Sequence, residues 1–322
     1  MAKKNPKGKK NEPISHDHHH VGQAFLRGFG DAEGLIWVHD FQKGSDFLTD
    51  PRAVAFERNF YTVDLPGKRP DALEKALGRV EKATVALIKR IETEKGLRST
   101  DDFGQLLEFI SVQAVRGPDH RERMERIASD VREKMEDVLR AVYRKQVAQR
   151  GDAPPEDRWV AERLRQDAPP LTQGDHIQSM LRHHPKLRDA LSDRCSVFTL
   201  LPDKPGFHLV SSDAPFTSVE YMGVDVNGAE TFRWAAWTDP AARISMALSR
   251  RLLWQSVAAP QAAPGGFIDL SDDRDPEDSA EAQRWTRRQN ASTTLFARFV
   301  FGSRPGPPDG INEPWRGPTQ PG

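Results

Sequence analysis

The chain has 322 residues, enough for one large domain or two modest ones, and 37% of them are hydrophobic and 29% charged. Forty-seven basic residues balance forty-seven acidic ones. This balance argues against a protein whose entire surface binds nucleic acid, but it allows a local basic pocket. The single cysteine, Cys195, excludes an intramolecular disulfide, and no apolar run reaches the roughly 20 residues of a membrane span. We therefore expect a soluble, cytoplasmic protein that contacts no membrane.

Both ends of the chain have compositions typical of disorder. Residues 1–15 contain five lysines and no apolar stretch of a secretory signal, and residues 304–322 are rich in proline and glycine. We expect a disordered basic arm at 1–15, with at most weak contact to nucleic acid, and a disordered tail at 304–322. Residues 16–303 are expected to form one domain, in which the acidic residues 258–280 are a mobile loop.

The first predicted elements are a hairpin and a helical block. Two β-prone runs at residues 35–40 and 46–49 flank the turn residues Lys43, Gly44 and Ser45. Apolar residues then recur with helical spacing over residues 71–93, and residues 99–117 predict a buried helix that ends at Gly117-Pro118. With the segments that follow, residues 70–192 are expected to be a helical block.

Residues 119–149 predict one long helix with an apolar stripe on one face and mixed Arg and Glu on the other. The stripe consists of Met124, Ile127, Ala128, Val131, Met135, Val138, Leu139 and Val142. Two interpretations are open: the stripe packs inside an intramolecular bundle, or it is the seam of a coiled coil with a partner.

From Cys195 the pattern returns to strands, which occupy residues 194–250. A last helix is expected over residues 276–301, with Leu295, Phe296, Phe299 and Val300 on its apolar face. Strands, a helical block and strands again predict an α+β fold. In this fold a mixed or antiparallel sheet, made of the N-terminal hairpin and the C-terminal strands, packs against the helical block with its one long helix.

A histidine-rich stretch, HDHHHVGQAFLRGFG at residues 16–30, is the first candidate site. His16 and His20 have the i,i+4 spacing of zinc ligands on a helix, but the polar tail upstream disfavours a helix there and no second ligand cluster follows. We therefore expect no metal site. If a helix begins near residue 21, Gln23 and Arg27 share one face with His19 just before it, either lining a pocket or forming an ordinary helix surface.

The part HHVGQAFLRGF of this stretch resembles the opening motif of the bacterial domain-of-unknown-function 4238 family. Four further blocks of that family follow in order: VAFERNFYTVD, LLEFISVQAVRGPDHR, HLVSSDAPFT and NASTTLFARFVFGS. The matching positions are His19, Gln23, Leu26, Arg27, Phe29, Glu57, Arg58, Phe60, Tyr61, Gln113, Arg116, Ser212, Asp213, Pro215, Asn290 and Arg298. The resemblance covers residues 18–303.

The chain departs from the family pattern at three positions. His20, Gly22 and Ala214 stand where tyrosine, proline and asparagine are usual. The family has no established activity, so the resemblance implies none. No phosphate-binding loop, dinucleotide-binding glycine pattern, HExxH or GxSxG motif is present, and the cofactor therefore stays unknown.

The motif residues allow two interpretations. Strand alternation predicts a partly buried Asp213, which needs a cation or several donors, and arginines are the available partners. In the first interpretation the polar residues form a structural network in a non-catalytic protein-interaction module, which would use the long helix and the acidic loop.

In the second interpretation the same residues form a pocket for an anionic, phosphate-bearing ligand, either a small molecule such as a nucleotide or nucleic acid. His19 is then a candidate general acid or base with Asp213 orienting it, as in a phosphodiester hydrolase such as a nuclease. The ligand-binding candidates are Gln23, Arg27, Arg58, Gln113, Arg116 and Arg298.

Overall fold

The computed structural model describes residues 14–63, 67–150, 154–204, 207–224, 230–257, 266–271, 283–287, 289–290, 293, 297 and 299–302. The predicted tail at 304–322 and all but two residues of the predicted arm at 1–15 lie outside these ranges. No helix within them is both long and apolar enough to cross a membrane.

The helices are α1 (Gln23–Leu26), α2 (Ala72–Glu94), α3 (Thr100–Arg116), α4 (Pro118–Arg150), α5 (Glu156–Asp167) and α6 (Gln173–Ser192). The predicted helices at 71–93, 99–117 and 119–149 are thereby confirmed. Helix α3 begins where the Ser99 hydroxyl accepts a hydrogen bond from the Asp102 N–H at 3.2 Å. Helix α6 begins with a reciprocal capping box between Thr172 and Asp175.

Helix α4 packs differently from the intramolecular bundle that was one of the two interpretations of its apolar stripe. It forms a helical hairpin with α5, fixed by the Tyr143 and Trp159 rings 5.4 Å apart. The apolar stripe beside this contact stays in solvent: the side chains of Ile127, Val131 and Val138 are 49%, 54% and 61% exposed. Packing therefore uses only one edge of the predicted face.

The strands are β1 (Asp17–His19), β2 (Ile36–Asp40), β3 (Ser45–Thr49), β4 (Phe56–Arg58), β5 (Cys195–Leu200), β6 (Ser211–Ser212), β7 (Thr217–Val224), β8 (Glu230–Trp234), β9 (Arg243–Ala247), β10 (Leu252–Val257), β11 (Gly266–Asp269) and β12 (Phe299–Gly302). The described strands form a two-stranded sheet β1-β4, a six-stranded sheet β11-β5-β10-β9-β7-β8 and a four-stranded sheet β3-β2-β12-β6. The predicted hairpin at 35–49 is confirmed, and it joins later strands through β12.

Two C-terminal predictions are wrong in part. Residues 283–287, 289–290 and 293, within the helix expected over 276–301, are helical, but the end of that segment is not. Phe299 and Val300, expected on a helix over 276–301, lie in β12, which pairs antiparallel with β2 and β6. An apolar run of this length fits a helix or a strand equally well, and pairing with β2 decides for the strand. The expected loop at 258–280 contains β11, which pairs parallel with β5 and stacks Phe267 on Phe198.

One apolar cluster joins the helices to the sheets, so the architecture is α+β. It takes Phe25 from α1, Ile88 from α2, Leu107 from α3, Phe198 from β5 and Trp254 from β10. Helix α3 packs against α2, α4 and α6. This arrangement places α1 and α2 beside the turn between β9 and β10, and it places β1 over the end of α3.

Candidate functional site

The histidine stretch begins with β1, and it buries His18, His19 and His20 while His16 and Asp17 stay exposed. The ring of His18 accepts a hydrogen bond from the Tyr61 N–H at 2.7 Å and bonds the Ser15 carbonyl at 3.1 Å. Each ring nitrogen of His18 therefore has a backbone partner, which holds the strand in place. The described residues contain no group of three or more His, Cys, Asp or Glu side chains placed to hold a metal ion.

His19 and Arg116 lie at the centre of a buried polar cluster, which consists of His19, Gln23, Glu74, Gln113 and Arg116. The His19 N–H donates to Glu74 Oε1 at 3.2 Å, and its carbonyl accepts from Arg116 Nη2. The Gln23 amide nitrogen lies 3.3 Å from the His19 ring. The Arg116 side chain is thereby joined to β1 from the last turn of α3.

Burial sets the protonation states in the polar cluster. It lowers the pKa of His19, and the charge of Arg116 lowers it further, while a hydrogen bond to the Arg52 backbone opposes this. Burial also raises the pKa of Glu74, against the opposing charge of Arg116. The lowered pKa leaves the His19 imidazole neutral at neutral pH, so Glu74 is the carboxylate of the cluster that acts on the Arg116 charge.

Several polar atoms of the cluster have no partner among the described residues. They are Nε and Nη1 of Arg116, both amide atoms of Gln113 and Oε2 of Glu74. Arg116 and Gln113 are each only 2% exposed, so no bulk solvent compensates these atoms. The cluster is closed rather than an open pocket.

The other predicted site residues lie elsewhere. The Asp213 carboxylate is buried and accepts from the Phe299 N–H at 3.1 Å, whereas the His19 ring contacts Gln23 and Phe56. The expected orientation of His19 by Asp213 is therefore not part of this geometry. Arg58 is exposed on β4, and Arg298 lies outside the described residues.

Gly22 leaves space for a buried carboxylate. The Glu81 side chain of α2 accepts from the Phe25 N–H at 3.0 Å, and a Cβ at position 22 would lie within 2.0 Å of that carboxylate. The Gly22 backbone is extended, with φ −71° and ψ 143°, so space rather than backbone conformation requires glycine here. This accounts physically for a departure from the family pattern.

Arg27 lines a separate open cleft of about 520 Å³ between α1, α2 and the β9–β10 turn. We call it the arginine cleft. It is lined by Ala24, Phe25, Arg27, Gly28, Val85, Ile88, Lys89, Glu92, Asp203, Leu248, Ser249, Arg250 and Arg251. Four cations thus face two carboxylates around apolar side chains.

The β9–β10 turn is fixed on several sides. The Ser249 hydroxyl accepts from the N–H groups of Arg251 and Leu252 at 3.1 Å each and donates to Glu92 on α2. The Arg250 N–H donates to the Gly28 carbonyl at 3.1 Å. The turn therefore has one fixed position relative to α1 and α2.

Asp203 holds the arginines of this turn. Its carboxylate accepts from Arg250 Nη2 at 2.7 Å, and Arg251 Nε donates to the Leu201 carbonyl at 2.9 Å. Burial would raise the pKa of Asp203, but the hydrogen bonds and charges of Arg250, Arg251 and His208 outweigh it and lower the pKa. Asp203 therefore stays charged at neutral pH.

Arg27 and Lys89 differ from the turn arginines. Both are exposed, and neither side chain forms a hydrogen bond or ion pair within the part of the chain described. Of the four cleft cations, only Arg27 is among the site residues predicted from the sequence, through the family motif. Lys89, Arg250 and Arg251 are not. The sequence feature that could have indicated the last two is a pair of arginines in a tight turn between strands.

Four of the five sequence blocks behind the predicted resemblance lie between residues 17 and 228, and the fifth, at 290–303, lies beyond. No curated protein and no solved structure matches the chain. The family model described as protein of unknown function (DUF4238) matches residues 17–228, and the chain belongs to this family.

Proposed function

We propose that the protein binds a phosphate-bearing small molecule, such as a nucleotide, in the arginine cleft. The observation that carries the proposal is the pair Arg27 and Lys89, two exposed cations without a hydrogen bond or ion pair among the described residues. Both lie on a cleft that also contains Arg250 and Arg251. Guanidinium groups bind phosphate through paired N–H donors, and lysine adds a point charge.

The dimensions of the cleft favour a small molecule over a polymer. Its volume of about 520 Å³ is in the range of sites for ligands of nucleotide size. Phe25, Val85, Ile88 and Leu248 supply apolar surface beside the cations. A ligand with one anionic end and one flat or apolar end matches both parts of the lining.

The proposal assigns no catalytic role to His19 or Asp213. Neither residue lines the cleft, and both are buried in the protein interior. A general acid or base must lie within hydrogen-bond distance of the reacting group. Because His19 does not line the arginine cleft, it does not meet this condition for a ligand bound there. Hydrolysis of the bound ligand is therefore left out of the proposed function.

Calorimetric titration with nucleoside mono-, di- and triphosphates and with inorganic phosphate tests the proposal. We expect saturable binding by at least one of them. In the variant Arg27→Ala with Lys89→Ala, affinity falls at least tenfold, because each lost charged hydrogen bond costs about 1.5 to 3 kcal/mol.

Arg58→Ala is the matched control, since Arg58 is exposed and lies outside the cleft. Its affinity should equal that of the unmodified protein. Absence of binding by every phosphate compound, or an equal loss of affinity in the control, would contradict the proposal.

The exposed stripe of α4 favours a second candidate function, self-association. Ile127, Val131, Val138 and Val142 are between 40% and 61% exposed. Their spacing of four, seven and four residues reads the same in both directions. Two copies of α4 in antiparallel orientation about a two-fold axis would therefore place Ile127 against Val142 and Val131 against Val138.

Light scattering at increasing protein concentration tests this candidate. A dimer is expected, and Val131→Glu with Val138→Glu should yield a monomer without loss of folding, since both side chains are exposed. The control Gln149→Glu adds one negative charge at an exposed position near the end of α4, outside the stripe, and should leave the dimer intact. A monomer at all concentrations would contradict self-association through α4.

A further inference from the structure

A second, much smaller cavity lies where α3 ends and α4 begins. Its lining includes Tyr61, Arg116, His120, Arg121 and His176. The cavity has a volume of about 20 Å³, room for one water molecule or one single-atom anion. None of these residues lines the arginine cleft.

The lining has more donors than partners. Nε and Nη1 of Arg116 and Nε of Arg121 are buried donors without a hydrogen-bond partner among the described residues. Arg116 is 2% exposed and His176 9% exposed. Guanidinium N–H groups can only donate, so the missing partner of both arginines is an acceptor.

The other bonds around the cavity fix both arginines in place. Arg116 Nη2 donates to the His19 carbonyl, and the Arg121 guanidinium lies 3.7 Å over the Phe60 ring while its Nη2 donates to the Phe60 carbonyl at 3.0 Å. The donors are therefore positioned before any acceptor binds.

The carboxylates around the cavity act on the arginines from a distance and supply no acceptor to these buried N–H groups among the described residues. Glu57 and, more weakly, Glu125 act on Arg121, and Glu125 also bonds the far nitrogen of His176, Nε2, at 3.1 Å. Glu74 is the carboxylate that acts on Arg116, and burial raises the pKa of Glu74. A buried guanidinium in this setting is stabilised by an added anion more than by a neutral acceptor.

We infer that this cavity binds one small inorganic anion, chloride under physiological conditions, between Arg116 and Arg121. Its volume of about 20 Å³ gives room for a single-atom ion. The ion would join the end of α3 to α4 and would stabilise the folded chain by mass action. The inference is independent of the arginine cleft.

Thermal unfolding in sodium chloride and in sodium gluconate at equal ionic strength tests the inference. We expect chloride to raise the unfolding midpoint by roughly 2 °C or more. The effect should disappear in Arg121→Gln, where a partly exposed arginine is replaced and folding should persist.

The double variant Arg27→Gln with Lys89→Gln is the control. It should keep the full chloride effect, whereas the effect would disappear in this variant if chloride acted by binding in the arginine cleft. Crystals soaked in bromide give a direct readout, an anomalous peak beside Arg116 and Arg121. Equal midpoints in the two salts, or no bromide peak in the cavity, would show that water fills it and would overturn the inference.

Discussion

Arg27 and Arg116 both come from motifs of the same family, yet they lie in opposite environments. Arg116 is 2% exposed and donates to the His19 carbonyl in a closed polar cluster. Arg27 is exposed on a cleft of about 520 Å³ and has no side-chain partner among the described residues. Residue type and motif membership therefore do not distinguish a buried arginine with backbone partners from an exposed arginine on a cleft, whereas burial and contacts do.

The polar cluster supports the structural interpretation of most motif residues. His19, Gln113, Arg116 and Asp213 are all buried, and the contacts of His19, Arg116 and Asp213 join β1, α3 and β12. The arginine cleft supports the ligand interpretation. Among the predicted site residues that the structure describes, Arg27 alone lines this cleft. The two interpretations therefore concern different regions, and ligand binding in the cleft is our proposal.

The largest effect on stability is expected for Arg116→Ala. Removal of this side chain leaves the His19 carbonyl unbonded and Glu74 buried without its neighbouring positive charge, at a cost of about 3 kcal/mol or more. Urea unfolding measures the loss, and Arg58→Ala is the control, expected to change stability by less than about 0.5 kcal/mol. Equal stabilities of the two variants would remove the distinction between the regions.

Arg27→Ala should show the opposite pattern. Its affinity for the phosphate ligand identified by calorimetry is expected to fall about tenfold to a hundredfold, while the free energy of unfolding changes by less than about 0.5 kcal/mol. Calorimetry and urea unfolding on the same preparation give both values. A large loss of stability with unchanged affinity would make Arg27 a structural residue like Arg116.

A smaller effect is expected for Gly22→Ala. The new methyl group displaces the Glu81 carboxylate from the Phe25 N–H, which costs about 1 to 2 kcal/mol. Gly78→Ala on α2 is the matched control, because no atom lies within 4 Å of its Cβ and alanine favours a helix. A stabilised Gly22→Ala variant would mean that Glu81 is not confined.

The smallest effect is a change in acid sensitivity. The folded pKa of His19 lies below the usual 6.5, so the unfolded chain binds this proton more readily. The contribution of His19 to stability is thus present above pH 6.5 and is lost as the pH falls below it. Unfolding measured from pH 8 to 5 should be less pH-dependent in His19→Gln than in the exposed control His16→Gln.

Much of the fold could be predicted because local patterns determine it. The hairpin of β2 and β3 follows from two β-prone runs around Gly44, and α2 to α4 follow from helical spacing and the Gly117-Pro118 break. Strand β12 could not be predicted, because its four residues become a strand only through pairing with β2, some 260 residues earlier.

The candidate site shows the same limit. Arg27 and the buried Asp213 follow from motifs, but the cleft brings Arg27 beside Lys89 and Arg250, which lie 62 and 223 residues further along the chain. No local pattern connects these residues. The cleft is open and the polar cluster is closed because of the way α1 packs on α2. The spacing of apolar residues along the sequence does not predict this packing.

The fixed β9–β10 turn has a kinetic consequence. Ser249, Asp203 and Gly28 hold the backbone of the turn and the guanidinium of Arg250 before any ligand arrives. A ligand therefore meets a rigid wall and orders mainly Arg27 and Lys89, so little conformational entropy is lost on binding. Association should then be a single concentration-dependent step without a slow rearrangement, its rate set by electrostatic attraction and reduced by added salt.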